Sequence, residues 1–300
     1  MGHKLLVIFA IIIFGIATRF LSRPLEDTRE PNYKHQVRSL NSEQTQEVET
    51  LDLNPGGSSF ADTSRKTRVN CFEFASAENA AVILIFGQSN AANESDPKGM
   101  YLPERRVINF NFFDGLCYLA EDPLLGQSQN RSSFATRLGD LLIQRDRFNS
   151  VILIPIASGG SFIHEWTPGN ILFQRAAIAI KRAEAAGLRI THAIWQQGEA
   201  EGGQRNPDGE KYQANFLEML GGLRDAGLRS PVYVALSTIC KGEANNTIRE
   251  AQQGLINENL GILLGADTDQ IPLDDRWDQC HFSKTGLVKA AELWYSVLTR

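Results

Sequence analysis

Six short apolar runs, at 81–86, 106–112, 151–156, 191–195, 231–238 and 261–264, constrain the fold more than any other feature. Several are separated by stretches with amphipathic helical spacing, at about 132–147, 171–187, 210–226, 245–259 and finally 284–298. Runs that are apolar at nearly every position, such as Ala81-Val82-Ile83-Leu84-Ile85-Phe86, suit strands buried on both faces. A parallel sheet covered by helices on both sides demands such strands. With right-handed crossovers the pattern predicts a doubly wound, three-layer α/β/α sandwich around a mainly parallel central sheet. Ligands in such folds bind beyond the carboxyl ends of the strands. Ser89, the Gly159-Gly160 pair and Gln197 each follow an apolar run.

A hydrophobic content of 42% supports a sizeable core, and a net charge of −5 with no basic stripe gives no support for nucleic-acid binding. The five histidines include no His-x-x-x-His pair, and Cys71, Cys117, Cys240 and Cys280 are widely dispersed, so no metal site is expected.

Residues 5–17 are unbroken apolar or small residues between Lys4 and Arg19. As a helix they would rise roughly 20 Å, short of the roughly 30 Å hydrocarbon core. Residues 1–21 therefore read either as a signal peptide, with small residues at 15–17 for cleavage, or as an uncleaved anchor extended through 18–21. Both readings export the chain to a periplasmic or extracellular compartment, with membrane contact only through this segment if it is retained. There the cysteines can pair. The favoured pairs are Cys71 with Cys117 and Cys240 with Cys280, and four buried thiols are the other reading. Residues 22–68 are polar, nearly balanced in charge and almost free of aromatics, which predicts a flexible stalk before a folded domain at 69–300.

The chemistry is carried by Gly87-Gln88-Ser89-Asn90 and by Asp278-Gln279-Cys280-His281. A serine hydroxyl is a weak nucleophile at neutral pH and needs a histidine base, itself oriented by a carboxylate. Ser89, in a turn or helix start after its strand, is the candidate nucleophile; the plain alternative is a helix-capping serine. His281 is the candidate base and Asp278 its orienting acid, ahead of His164 and His192. The Ser89 N–H, an N–H of the 159–160 loop and the Gln197 amide are available as oxyanion donors. Asn90, Gly160, His164, Trp166 and Glu199 are further candidates for substrate contact. Trp166 reads equally as a sugar-stacking wall or a core residue, and Glu199 as a carboxylate that braces the loops.

Taken together, Gly87-Gln88-Ser89-Asn90, Gly159-Gly160-Ser161, Gln197-Gly198-Glu199 and Asp278-x-x-His281 resemble the sequence blocks of SGNH hydrolases. The resemblance is to the sialate O-acetylesterase-like branch, carbohydrate esterase family six, over about 80–298. It implies a flavodoxin-like sandwich, no metal or organic cofactor, Ser89, His281 and Asp278 as triad, and Ser89, Gly159 and Gln197 as oxyanion donors. Glu201 departs from the aspartate or asparagine often found at its position. The implied activity is removal of acetyl groups from a carbohydrate through an acyl-enzyme. Two other outcomes use the same blocks: a polysaccharide O-acetyltransferase, and a non-catalytic carbohydrate-binding envelope protein. Asn93, Asn130 and Asn245 head formal glycosylation sequons.

Overall fold

The computed structural model describes residues 62–300. The expected segment 1–21, and the expected stalk as far as residue 61, lie outside the described residues. The rest of that stalk is docked. Lys66 Nζ donates to the carbonyls of Glu121 and Pro123 (3.1 and 2.8 Å), and the Leu119 N–H donates to Thr67 O. Strand β1 (Arg68–Val69) follows directly, so the ordered domain starts before residue 69.

After β1 come α1 (Cys71–Ala75), β2 (Ala80–Gly87), β3 (Val107–Asn111), β4 (Leu116–Leu119), α2 (Phe134–Gln144), β5 (Ser150–Pro155) and α3 (Ile171–Ala185). Then follow β6 (His192–Gln196), α4 (Glu199–Gly202), α5 (Gly209–Asp225), β7 (Val232–Leu236), α6 (Asn246–Gly254), β8 (Ile262–Asp267) and α7 (Lys284–Leu298). The strands form one eight-stranded sheet in the order β1-β4-β3-β5-β2-β6-β7-β8. From β3 to β8 across the sheet every pairing is parallel; β4 and β1 extend one edge antiparallel. The mainly parallel three-layer sandwich is therefore as expected. The short edge pair and the four-residue α4 are additions that the apolar runs did not signal.

Strand β2 shows why the run at 81–86 must be apolar throughout. Ala81, Ile83 and Ile85 join a core with Leu138 of α2 and Trp294 of α7. Val82, Leu84 and Phe86 point the other way, into a core with Ala179 of α3, Phe216 of α5 and Ile248 of α6. Each large apolar side chain removed from water in this way contributes roughly 1.5–3 kcal/mol. One polar substitution on either face would open one of the two cores.

Two disulfides tie the outer segments to this framework: Cys71–Cys117 links α1 to β4, and Cys240–Cys280 links the loops after β7 and β8. Both are the expected pairs. The chain leaves β2 for β3 on one side and later crosses to β6 on the other, so the carboxyl end of β2 is a topological switch point. Gly87 ends β2 there with φ +131°, and a Cβ on it would lie 2.1 Å from the Gln196 carbonyl oxygen of β6. Only glycine tolerates both conditions. Gly87→Ala is expected to destabilise the domain by at least about 2 kcal/mol, read as a lower midpoint of urea denaturation; an unchanged midpoint would show that the β2–β6 contact relaxes without cost.

Candidate active site

Beyond Gly87 the chain turns without starting a regular helix. The N–H groups of Ala91 and Ala92 return to the Gln88 carbonyl at 2.9 and 3.2 Å, which fixes a helix-like turn around Ser89. No helix dipole is therefore aimed at the hydroxyl. Gln88 secures the turn from the other side. Its Oε1 accepts from the N–H groups of Gly198 and Ala200 (3.2 and 3.0 Å) and from Gln197 Nε2 (3.2 Å). Ser89 itself is 4% exposed, among the loops at the carboxyl ends of the strands. Its N–H makes no hydrogen bond among the described residues.

Asn90 is fully buried and joins the Ser89 turn to the opposite loop. Its Nδ2 donates to Glu199 Oε1 at 2.7 Å and to the Cys280 carbonyl at 3.3 Å. Residues adjacent to Ser89 and to His281 are thus in direct contact. Glu199 Oε1 also accepts from Ser237 Oγ (2.8 Å), to which Thr268 Oγ1 donates in turn (3.0 Å). Glu199 is the expected brace, and it lies inside the protein rather than on the cleft wall.

In the 278–281 turn, Asp278 Oδ2 lies 2.7 Å from His281 Nδ1, while Oδ1 accepts from the N–H groups of Cys280 and His281 (3.0 and 2.7 Å). Partial burial pushes the Asp278 carboxyl up. The His281 ring, the two amides and the histidine charge outweigh that, and hold it below its ordinary value. A carboxylate on Nδ1 selects the Nδ1–H tautomer and leaves Nε2 as a base facing the cleft. Arg276, 4% exposed, clamps the base of the turn: its guanidinium donates to the carbonyls of Cys280, Thr268, Ile239 and Ile271.

Two of the three expected oxyanion donors, Gly159 and Gln197, are engaged elsewhere. The Gly159 N–H donates to Ser128 Oγ (2.8 Å), which donates to Glu94 Oε1 (2.8 Å), and Glu94 Oε2 lies 3.7 Å from His281 Nε2. The Glu94 carboxylate covers Gly159 so closely that a Cβ there would meet Oε1 at 1.8 Å. Gln197 is fully buried, with Nε2 donating to Gln88 Oε1, to Ser161 O and to Glu201 Oε2.

The other candidates separate. Gly160, at φ +67°, is exposed with open space around it. His164 is exposed and stacks on Phe162 (5.7 Å) beside Glu201, Asp208 and Lys211, away from His281. Trp166 is not a sugar wall. It is wholly buried, edge-on to Phe86 and Trp195, with Nε1 donating to Ser161 Oγ at 3.0 Å. Three residues at the cleft were not anticipated: Glu94, Ser128 and Trp277. Only Trp277 carried a signal, its place immediately before Asp278.

Burial pushes the Glu199 carboxyl up, against the opposing effects of Asn90, Ser237 and the Arg276 charge. A raised folded-state value means tighter proton binding in the fold than in the unfolded chain. Its contribution therefore favours the fold below 4.5 and is lost as pH rises through the raised value. Glu199→Gln lacks this titration. The stability of wild type relative to Glu199→Gln should fall as pH rises above 4.5 in urea melts; a constant difference would show that the fold does not hold the Glu199 proton more tightly than the unfolded chain.

Among known proteins, the family described as "carbohydrate esterase, sialic acid-specific acetylesterase" matches residues 79–298. A probable carbohydrate esterase of Arabidopsis thaliana is 30% identical over 138 residues, 46% of this chain and 51% of that protein; the match thus spans about half of that relative's length. An X-ray structure of an Arabidopsis thaliana protein superposes with a TM-score of 0.59 at 21% identity, covering 73% of this chain and 98% of that one. The crystal structure of NanS does so with a TM-score of 0.53 at 15% identity, covering 73% and 96%. These two likenesses establish the shared fold. With the matched family spanning β2 to β8 and both the 87–90 and the 278–281 turns, the chain belongs to the sialic acid-specific acetylesterase family of carbohydrate esterases.

Proposed function

We propose that the protein is an exported serine esterase that removes O-acetyl groups from a carbohydrate through an acyl-enzyme on Ser89. The observation that carries this reading is the 2.7 Å pairing of Asp278 with His281 Nδ1, on a turn tied through the Cys280 carbonyl to the residue next to Ser89. In the proposed reaction Ser89 Oγ attacks the acetyl carbonyl carbon as its proton passes to His281 Nε2. The Ser89 N–H donates to the developing oxyanion. Gly159 joins it when the acetyl carbonyl oxygen replaces the Ser128 hydroxyl at its N–H, and Gln197 supports both loops from beneath. His281 then gives its proton to the departing sugar oxygen, breaking the ester bond and leaving acetyl on Ser89. Water, giving a proton to the same nitrogen, attacks that acetyl group; His281 returns the proton to Ser89 and acetate leaves.

The alcohol half of the substrate is a carbohydrate by analogy with the family, and acetyl is its matching acyl group. Export agrees with the two disulfides. Among the described residues no helix is long and apolar enough to cross a membrane. The test is acetate release from an O-acetylated sugar by the full chain beside Ser89→Ala and His281→Ala. Each variant should lose roughly 10³-fold or more in kcat, and the double variant little beyond either single one, since the two groups act as a unit. A folded Ser89→Ala that keeps activity within ten-fold of wild type would sink the reading.

A further inference from the structure

We infer that Trp277 and Arg131 form a binding subsite for the sugar ring that carries the acetyl group; this rests on the reading of His281 as the group that protonates the leaving sugar. Four tryptophans occur in the chain, and Trp166, Trp195 and Trp294 are wholly buried, whereas Trp277 is 42% exposed. An exposed indole leaves a large apolar surface in water, and here that surface is held in place. The Trp277 N–H donates to the His281 carbonyl (2.9 Å), and the Arg276–Phe282 bridge closes the hairpin around the catalytic turn. The Arg131 guanidinium lies over the indole at 5.0 Å. Arg131 is itself fixed through its N–H to the Asn93 carbonyl (3.0 Å) and forms no ion pair among the described residues.

The reaction dictates what meets this surface. The leaving oxygen must come within roughly 3 Å of His281 Nε2 to take its proton. The ring bearing that oxygen then extends beyond the imidazole, and the Trp277 ring centre is 6.5 Å from that of His281, with the planes within 29° of each other. One pyranose ring bridges such a gap. Its C–H face meets the indole, while the free guanidinium N–H groups of Arg131 donate to its hydroxyl oxygens. The ligand class is therefore a pyranose with an accessible apolar face. A small alkyl acetate would react at Ser89 without reaching the platform.

The test compares acetate release from an O-acetylated pyranoside and from ethyl acetate by the full chain, Trp277→Leu and Trp277→Phe. Trp277→Leu should lower kcat/KM for the sugar ester at least ten-fold more than for ethyl acetate, and Trp277→Phe should restore most of that difference. The second readout is acrylamide quenching, which reads the one exposed tryptophan. In Ser89→Ala the acetylated pyranoside should reduce quenching at least two-fold, and ethyl acetate should not. Equal losses on both esters, which would mark Trp277 as a support of the His281 turn, would overturn the subsite, as would unchanged quenching. Should wild type hydrolyse neither ester, the esterase reading fails and the quenching result alone decides the subsite.

Discussion

The Glu199 carboxyl is the point on which the cleft depends, because three loops from separate strands meet at it. Asn90 arrives from β2, Ser237 from β7, and Thr268 reaches it from β8 through Ser237. None of these contacts is local in sequence. Burying a carboxyl group is expensive unless its oxygens are bonded or the group is neutral. Glu199 Oε2, Asn90 Oδ1 and Gln197 Oε1 are buried acceptors without a partner in this network. A proton on Glu199 takes one oxygen out of that set, in the direction in which burial already pushes it. The relative position of Ser89 and His281 is thus held by a buried brace whose carboxyl is pushed by burial toward the protonated form, while Asp278, held below its ordinary value, sits nearer the rim beside the histidine.

Around His281 the arrangement is of a different kind. Its Nδ1 has a close carboxylate and its Nε2 a more distant one, Glu94, which also covers Gly159 through the Ser128 relay. An acidic side chain thus lies directly against Gly159, one of the donors proposed for the oxyanion. Like charges close together disfavour each other in a partly buried site. The Glu94 carboxylate is therefore a feature of the cleft to be reckoned with beside Asp278, tied to Ser128 on one side and facing His281 on the other.

The sheet was legible in the sequence because strands buried on two faces leave no polar position: residues 81–86 admit few other readings. The edge strand Leu116–Leu119 and its partner Arg68–Val69 were not, since four and two residues carry too little pattern to register. Ser89, Asp278 and His281 stood out through their chemistry and short spacing. Trp166 and Trp277 could not be told apart by type. What separates them is that one follows a strand into the core while the other rides on an exposed hairpin. Glu94 and Ser128 lie 34 residues apart, and only the folded loops bring them together. Gln197 shows a further limit: its amide donates to the Glu201 carboxylate, which also receives the Ile163 N–H, and that contact needs the neighbouring loop to be seen. The sequons also separate, for Asn93 is wholly buried and Asn245 caps α6, leaving Asn130 at the surface.

The Cys240–Cys280 bond places a covalent link one residue before His281. It closes a separation of 40 residues, and a link of that span restricts the unfolded chain by roughly 3–4 kcal/mol. The same sulfur pair belongs to the residue whose carbonyl receives Asn90 and Arg276, so the tie that steadies the domain also seats the base. Its consequence concerns redox chemistry more than geometry. With the two thiols reduced, the histidine hairpin would be held by hydrogen bonds alone. The seating of His281 therefore depends on an oxidising environment, which becomes in effect a reagent in the maturation of the domain.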